Sequence, residues 1–177
     1  YAAQGVRGLN FHDARGRLVR PYTFAELRSD AVAAAHRLVA QGVEPQERVA
    51  LVAETAPEFV ALFFGAMYAG AWPVPLPLPT SFGGREAYVE QLASQLRSCD
   101  PRLLLHPVEL SGLAGDAAAA AGVAAQDWES FVAAEAKMHD DPRMDSAGEP
   151  PFDARRLILG CFAPIFSMGR SQSMIDE

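Results

Sequence analysis

Apolar residues recur at helical spacing from Leu27 through Ala31, Ala34, Leu38 and Val39, while Arg28 and Asp30 fall off that stripe. This pattern predicts an amphipathic helix. Thr23-Phe-Ala-Glu26 precedes it in capping-box form, hydroxyl and carboxylate each able to satisfy a backbone N–H that the first turn leaves unpaired. Gly42 follows the stripe as a C-terminal cap that reaches positive φ without a Cβ penalty. The run 49–53 is apolar without alternation, which predicts a strand covered on both faces. Thr55 is then the expected cap of a second helix, with Pro57 in its first turn, where a missing N–H costs nothing. That helix carries Phe59, Val60, Leu62, Phe63, Phe64, Met67 and Tyr68 nearly all round, so deep burial is expected.

Gly70 ends the second helix, and 72–76 reads as the next strand. Pro73 and Pro75 cannot donate to a ladder, so that strand belongs at an edge or is irregular. Residues 77–84 have loop composition, and 85–98 form a third amphipathic helix with Tyr88, Val89, Leu92 and Leu96 on one face. Asp100-Pro101 is a stop signal before a brief strand at 103–105. Helix and strand therefore alternate, which predicts an α/β fold with a doubly wound, mainly parallel sheet and flanking helices. Beyond His106 the pattern weakens. A short helix at 107–114, an alanine-rich helix at 116–125 with little to pack against, and a short helix at 128–137 are expected. Residues 138–151 read as a linker, 156–166 as a strand or buried segment, and 169–177 as a polar end.

A chain of 177 residues is long enough for one domain with a sizeable core. Its net charge of -7 argues against binding a nucleic-acid backbone, which requires a basic face. The longest apolar stretch, 59–78, is broken by Gly65, Gly70, Pro73, Pro75 and Pro77, so no membrane span is expected. Residues 1–10 lack the apolar core of a secretory signal, which makes a cytoplasmic location the expectation. Cys99 and Cys161 lie far apart with no metal-ligand spacing, consistent with two reduced thiols.

Three stretches then resemble the N-terminal subdomain of the adenylate-forming, AMP-binding superfamily. Tyr22-Thr-Phe-Ala-Glu-Leu27 is similar to the opening of its first long helix, and Arg48-Val-Ala-Leu-Val-Ala-Glu-Thr55 to the following strand-to-helix turn. Phe64-Gly-Ala-Met-Tyr-Ala-Gly70 with Pro73-Val-Pro75 resembles the next helix-to-strand step. Pro75-Leu-Pro-Leu-Pro79, Phe82-Gly-Gly-Arg-Glu-Ala-Tyr-Val-Glu-Gln-Leu92 and the opening Gly8-Leu-Asn-Phe-His-Asp13 resemble the fatty acyl-AMP ligase branch.

The resemblance implies a parent enzyme that activates a fatty acid with ATP and Mg²⁺ to acyl-AMP, for transfer to an acyl carrier protein or to CoA. It also implies a Ser/Thr/Gly-rich phosphate loop soon after Pro151, and the sequence does not show one there. Ser167, Gly169, Ser171 and Ser173 beside Arg170 make only a loose cluster, most simply a polar end. Two parts are therefore expected: 1–151 as the α/β portion and 152–177 as an atypical tail. That tail is native, frame-shifted or joined from discontinuous segments. No catalytic, cofactor-binding or metal-ligating residue is assigned, and the chain alone is expected to be inactive. A stand-alone binding module that reuses the fold is the alternative, and an unrelated doubly wound domain with a ligand at a switch point of its sheet is a third. Apolar surface meant for missing parts would favour self-association.

The remaining constellations have simple readings. His12, His36, His106 and His139 are scattered singly, which suits surface or capping roles better than a metal site. Ser94 and Ser98 lack a His or Asp at useful spacing, and no G-x-S-x-G elbow is present. Asp140-Asp141, Glu129 and Glu135 read as solvated charges. Phe59, Phe63, Phe64, Met67 and Tyr68 suit core packing, with an acyl tunnel as the functional reading. Phe82-Gly-Gly-Arg85 suits a turn before a helix, with an anion contact at the helix start as the sharper reading.

Overall fold

The computed structural model describes residues 7–79 and 84–134. An antiparallel ribbon comes first, β1 (Gly8–His12) with β2 (Leu18–Thr23). Then α1 (Phe24–Ala40), β3 (Arg48–Val52), α2 (Pro57–Tyr68), β4 (Trp72–Leu76), α3 (Gly84–Cys99) and β5 (Leu103–His106) alternate as the hydrophobic pattern predicts. A 3₁₀ turn (Val108–Leu110), α4 (Ser111–Ala121), β6 (Ala124–Asp127) and α5 (Trp128–Ala133) complete the described chain. β3 to β6 form one parallel sheet in the order β4-β3-β5-β6. The expected linker, late strand, polar end and the division at 151/152 lie outside the described residues.

Period-two alternation divides the sheet between two helix layers. Val49, Leu51, Leu103 and Leu105 point to one core with α1, α2, Trp128 and Phe131. Ala50, Val52, Leu76 and Leu104 point to the other, with α3 and α4. Apart from Arg48 at the start of β3 and His106 at the end of β5, the central strands are therefore apolar without alternation, as strands covered on both faces must be. α1 starts as its sequence dictates. The Thr23 Oγ1 accepts from the Glu26 N–H, and the Glu26 carboxylate accepts from the Thr23 N–H, at 3.2 and 2.7 Å. At the other end Gly42 adopts φ 80, while its N–H and that of Val43 donate to the carbonyls of Val39 and Leu38. Gly70 closes α2 in the same way, at φ 76.

β4 confirms the edge reading and explains it. The Trp72 N–H donates to the Glu47 carbonyl, and the Leu76 carbonyl accepts from Ala53, so alternate residues 72, 74 and 76 face β3. Pro73 and Pro75 fall on the intervening positions, whose N–H groups would have pointed to the open side. The prolines cost the ladder nothing and leave the outer edge without those two donors.

Three expectations require correction. α2 is not deeply buried all round: Ala61, Leu62, Gly65 and Ala66 face inward, whereas Phe64 is 39% exposed. Among the described residues the sheet, α1 and the β1–β2 ribbon cover this helix on its inward side, and Phe64 lies off that side. The alanine-rich segment does find a partner, because Ala114, Ala117 and Ala118 pack against Leu92, Ala93 and Leu96 of α3. Small side chains here permit close approach. The cap of α2 is Ala56, with no side-chain hydrogen bond, and Thr55 is exposed. Pro57 at the first helical position places the cap at 56, one residue after the threonine.

Candidate functional site at the C-terminal edge of the sheet

From β3 the chain passes through α2 outward to β4, then returns through α3 to β5 on the other side of β3. The connections leaving β3 and β5 thus diverge, and the crevice at the carboxyl ends of these two strands is the topological switch point where open α/β sheets take ligands. Three segments reach this edge: Ala53-Glu54-Thr55 after β3, Pro77 after β4, and His106-Pro107 from β5.

The turn after β3 is tight. Glu54 N–H donates to the Val52 carbonyl and Ala56 N–H to the Glu54 carbonyl, at 3.1 and 2.9 Å. α2 therefore begins directly at the edge without a side-chain cap, leaving first-turn N–H groups and the positive end of its dipole there. On the neighbouring strand His106 is 4% exposed, a buried polar side chain where surface or capping histidines were expected. Its position explains this, since it ends a strand buried on both sides. The His106 Nδ1 lies 2.9 Å from the Pro107 carbonyl, a contact satisfied by the tautomer that carries hydrogen on Nδ1.

Asp127 pairs with His106 in the β5–β6 register and caps α5, accepting from the Ser130 N–H at 2.8 Å. These Ser130 hydrogen bonds hold the Asp127 carboxyl below the usual carboxylate range, and His106 pulls weakly in the same direction. The edge thus offers one helix start, the Glu54 and Asp127 carboxylates and a buried imidazole. Among the described residues no group of three or more His, Cys, Asp and Glu could hold a metal ion. No Ser/Thr/Gly-rich loop occurs among the described residues.

The other constellations separate in space. Arg85 bonds Asp116 at 2.5 Å and the Gly112 carbonyl at 3.4 Å, tying α3 to α4. Gly84 has φ 72 at the start of α3, while Phe82 and Gly83 lie outside the described residues. Ser98 Oγ donates to the Ser94 carbonyl one turn back, an exposed helical contact. His12 is exposed, and His36 is half-buried on α1 with Nδ1 lacking a hydrogen-bond partner. Cys99 is a free thiol whose pKa is raised by burial. Phe59, Phe63 and Tyr68 pack against the α1–α2 core, and Phe64 with Tyr68 also lines an apolar groove. Cys161, His139, Asp140, Asp141, Glu135 and the Ser167–Ser173 cluster fall outside the described residues. Sequence reasoning missed the edge itself, because only strand order reveals where connections diverge.

Residues 11–158 match the sequence profile described as AMP-binding enzyme, which is most of the chain. The chain belongs to the AMP-binding enzyme family. A Caulobacter vibrioides protein named as an acyl-CoA synthetase is 44% identical over 124 residues, covering 70% of this chain and 22% of the relative. The long-chain-fatty-acid–AMP ligase FadD32 of Mycolicibacterium smegmatis is 34% identical over 103 residues, covering 58% of this chain and 16% of that protein. A solved structure from work on the fatty acyl-adenylate ligases of E. coli and L. pneumophila superposes with a TM-score of 0.70 at 34% identity. That match covers 74% of this chain and 24% of the other, so the AMP-binding chain described here spans about a quarter of it or less. The α/β architecture is that of adenylate-forming enzyme domains. Among the described residues no helix is long and apolar enough to cross a membrane.

Proposed function

We propose that this chain is the first sheet-and-helix portion of a fatty acyl-AMP ligase, and that the parent enzyme activates a fatty acid with ATP. The observation that carries the reading is the 34% identity to both a fatty acid–AMP ligase sequence and a fatty acyl-adenylate ligase structure. In that reaction a carboxylate oxygen of the fatty acid attacks the α-phosphorus of ATP and the bond to pyrophosphate breaks. Pyrophosphate leaves, and the acyl-AMP formed is open to attack by the thiol of a carrier protein or of CoA, with AMP departing. A Mg²⁺ ion would neutralise phosphate charge when bound.

On this reading the phosphate-binding loop and the groups that act at the phosphates belong to the rest of the parent. The role of the described residues is architectural: the sheet presents the β3 and β5 ends and the α2 start as one wall of a larger site. The chain alone is therefore inactive on this reading, and residues 152–177 form a part distinct from 1–151. A cytoplasmic location accords with ATP-dependent activation. Exposed apolar surface, such as Trp72 at 42% exposure beside the β4 edge, favours self-association of the chain by itself.

The test uses a polypeptide extended into whatever the gene encodes beyond Glu177, assayed for ATP–pyrophosphate exchange. Exchange with long-chain fatty acids and not with amino acids supports the reading. Exchange with amino acids alone removes the acyl branch, and a stop codon after Glu177 would favour a non-catalytic module.

A further inference from the structure

Asp30, Ala33, Ala34 and Arg37 recur at i, i+3, i+4 and i+7 along α1, so they share one helix face. Seven residues at ~1.5 Å each set Asp30 and Arg37 ~10 Å apart along the axis, with two alanines between them. That face is one wall of a recess of about 250 Å³, whose apolar lining continues into Ala61 and Leu62 of α2 and Val132 of α5. Its charges lie toward two ends. At the first, Asp30 accepts the Tyr22 hydroxyl at 2.8 Å, and Glu58 of α2 and Arg20 of β2 both lie close enough to act on that phenol. Burial, followed by the Asp30 carboxylate, pushes the Tyr22 pKa up, so the phenol stays protonated as a donor. Arg20 rests on the Tyr22 ring, 5.0 Å from its centroid, and two carboxylates outnumber this one guanidinium. At the second end the Arg37 Nε–H donates to the Ala134 carbonyl at 3.0 Å, which uses one of its five N–H donors. Among the described residues neither Glu58 nor Arg37 has an ion-pair partner.

We infer that this recess binds a linear zwitterion, an ω-amino carboxylate, with its ammonium at Asp30 and Glu58 and its carboxylate at Arg37. The methylene spacer lies over Ala33, Ala34, Ala61 and Leu62, the apolar stretch between the two charged ends. The planar guanidinium fork suits both oxygens of a carboxylate, and the excess of carboxylates at the other end suits a cation. An amine alone leaves Arg37 without a counter-charge, and a simple carboxylate leaves Asp30 and Glu58 without one. Pro57 and Glu58, the first residues of α2, are what join the recess to the sheet edge. The inference uses neither ATP nor the adenylation step, so failure of the ligase reading leaves this site standing.

Titration of the 177-residue chain with ω-amino carboxylates from three to eight carbons, at low ionic strength where exposed charges are least screened, tests the site. One equivalent should bind, with affinity passing through a maximum at one spacer length. At that length the amine and the carboxylate that lack the second charge should each bind roughly tenfold more weakly. Glu58→Gln and Arg37→Gln should each weaken the zwitterion by about the same factor, and Arg37→Gln should leave binding of the simple amine unchanged. In the unmodified chain, intermolecular NOEs from the spacer methylenes should reach the methyl groups of Ala33, Ala34 and Ala61, a readout that needs no variant. Affinity flat with spacer length, an amine or carboxylate that binds as tightly as the zwitterion, or NOEs confined to other residues would overturn the proposal. So would a chain that takes up no ω-amino carboxylate at ~10 mM, a concentration that half-saturates even a site far weaker than micromolar.

Discussion

The two faces of the parallel sheet are built differently. On the α1–α2 face, large side chains such as Leu38, Leu62, Trp128 and Phe131 fill the space, and the helices cross closely at Gly65. On the α3–α4 face, leucines of α3 and the sheet meet a helix whose fully buried residues are all alanine, with Leu113 half-buried beside them. The first face carries its signal in hydrophobic periodicity. The second carries it in smallness, which pattern reading discounts. Of the two walls, only the α4 half of the second is recognisable solely once packed, since α3 already shows its apolar face in the sequence.

The strongest way to break this comparison is Phe131→Ala. Phe131 is fully buried on a helix of only six residues, so truncation should cost about 3–5 kcal/mol. Equilibrium urea unfolding measures it, and a loss below ~1 kcal/mol would mean that α5 is peripheral to the first face. Gly65→Ala comes next. An added Cβ would lie 2.6 Å from the Ala34 Cβ and 3.0 Å from the Ala31 carbonyl oxygen, a clash worth roughly 1–3 kcal/mol. Adding Ala34→Gly should recover part of that loss, since the pair shares one contact. Full additivity of the two would show that the helices do not meet there.

Acid should loosen the first face before the second. Hydrogen bonds from the Thr23 side chain and backbone lower the Glu26 pKa in the fold below its ordinary 4.5, and Ser130 lowers that of Asp127. A folded pKa below the unfolded one gives stability that is present above the unfolded value and lost as pH falls through the folded one. Amide protection factors, taken relative to the intrinsic exchange rate at each pH, should therefore fall in the first turns of α1 and α5 on going from pH 6 to pH 3, more than in α4, which starts without a side-chain cap. Glu26→Gln should flatten the α1 response. The smallest effect is expected at Arg85–Asp116, a half-exposed pair joining α3 to α4. Arg85→Ala should cost no more than ~1 kcal/mol, and less in high salt.

Legibility followed the same physical division. The α1 cap, the doubly covered β3 and the edge placement of β4 were readable, because Thr23, Glu26 and the Pro73/Pro75 alternation act locally. β2 and β6 were not: Leu-Val-Arg-Pro-Tyr-Thr contains a proline, and Ala-Ala-Gln-Asp lacks β-branched residues. Their pairing comes from neighbours. Thr55 was misassigned as the α2 cap because Pro57 fixes the cap one residue later. The candidate edge was invisible because it exists only where the chain, having gone out to β4, comes back to β5.

The central claim is that this AMP-binding family chain supplies architecture while the phosphate chemistry lies elsewhere in the parent. ATP–pyrophosphate exchange by the purified 177-residue chain, with Mg²⁺ and long-chain fatty acids, tests it most directly. The account predicts exchange indistinguishable from a no-protein control. Robust fatty-acid-dependent exchange would contradict it.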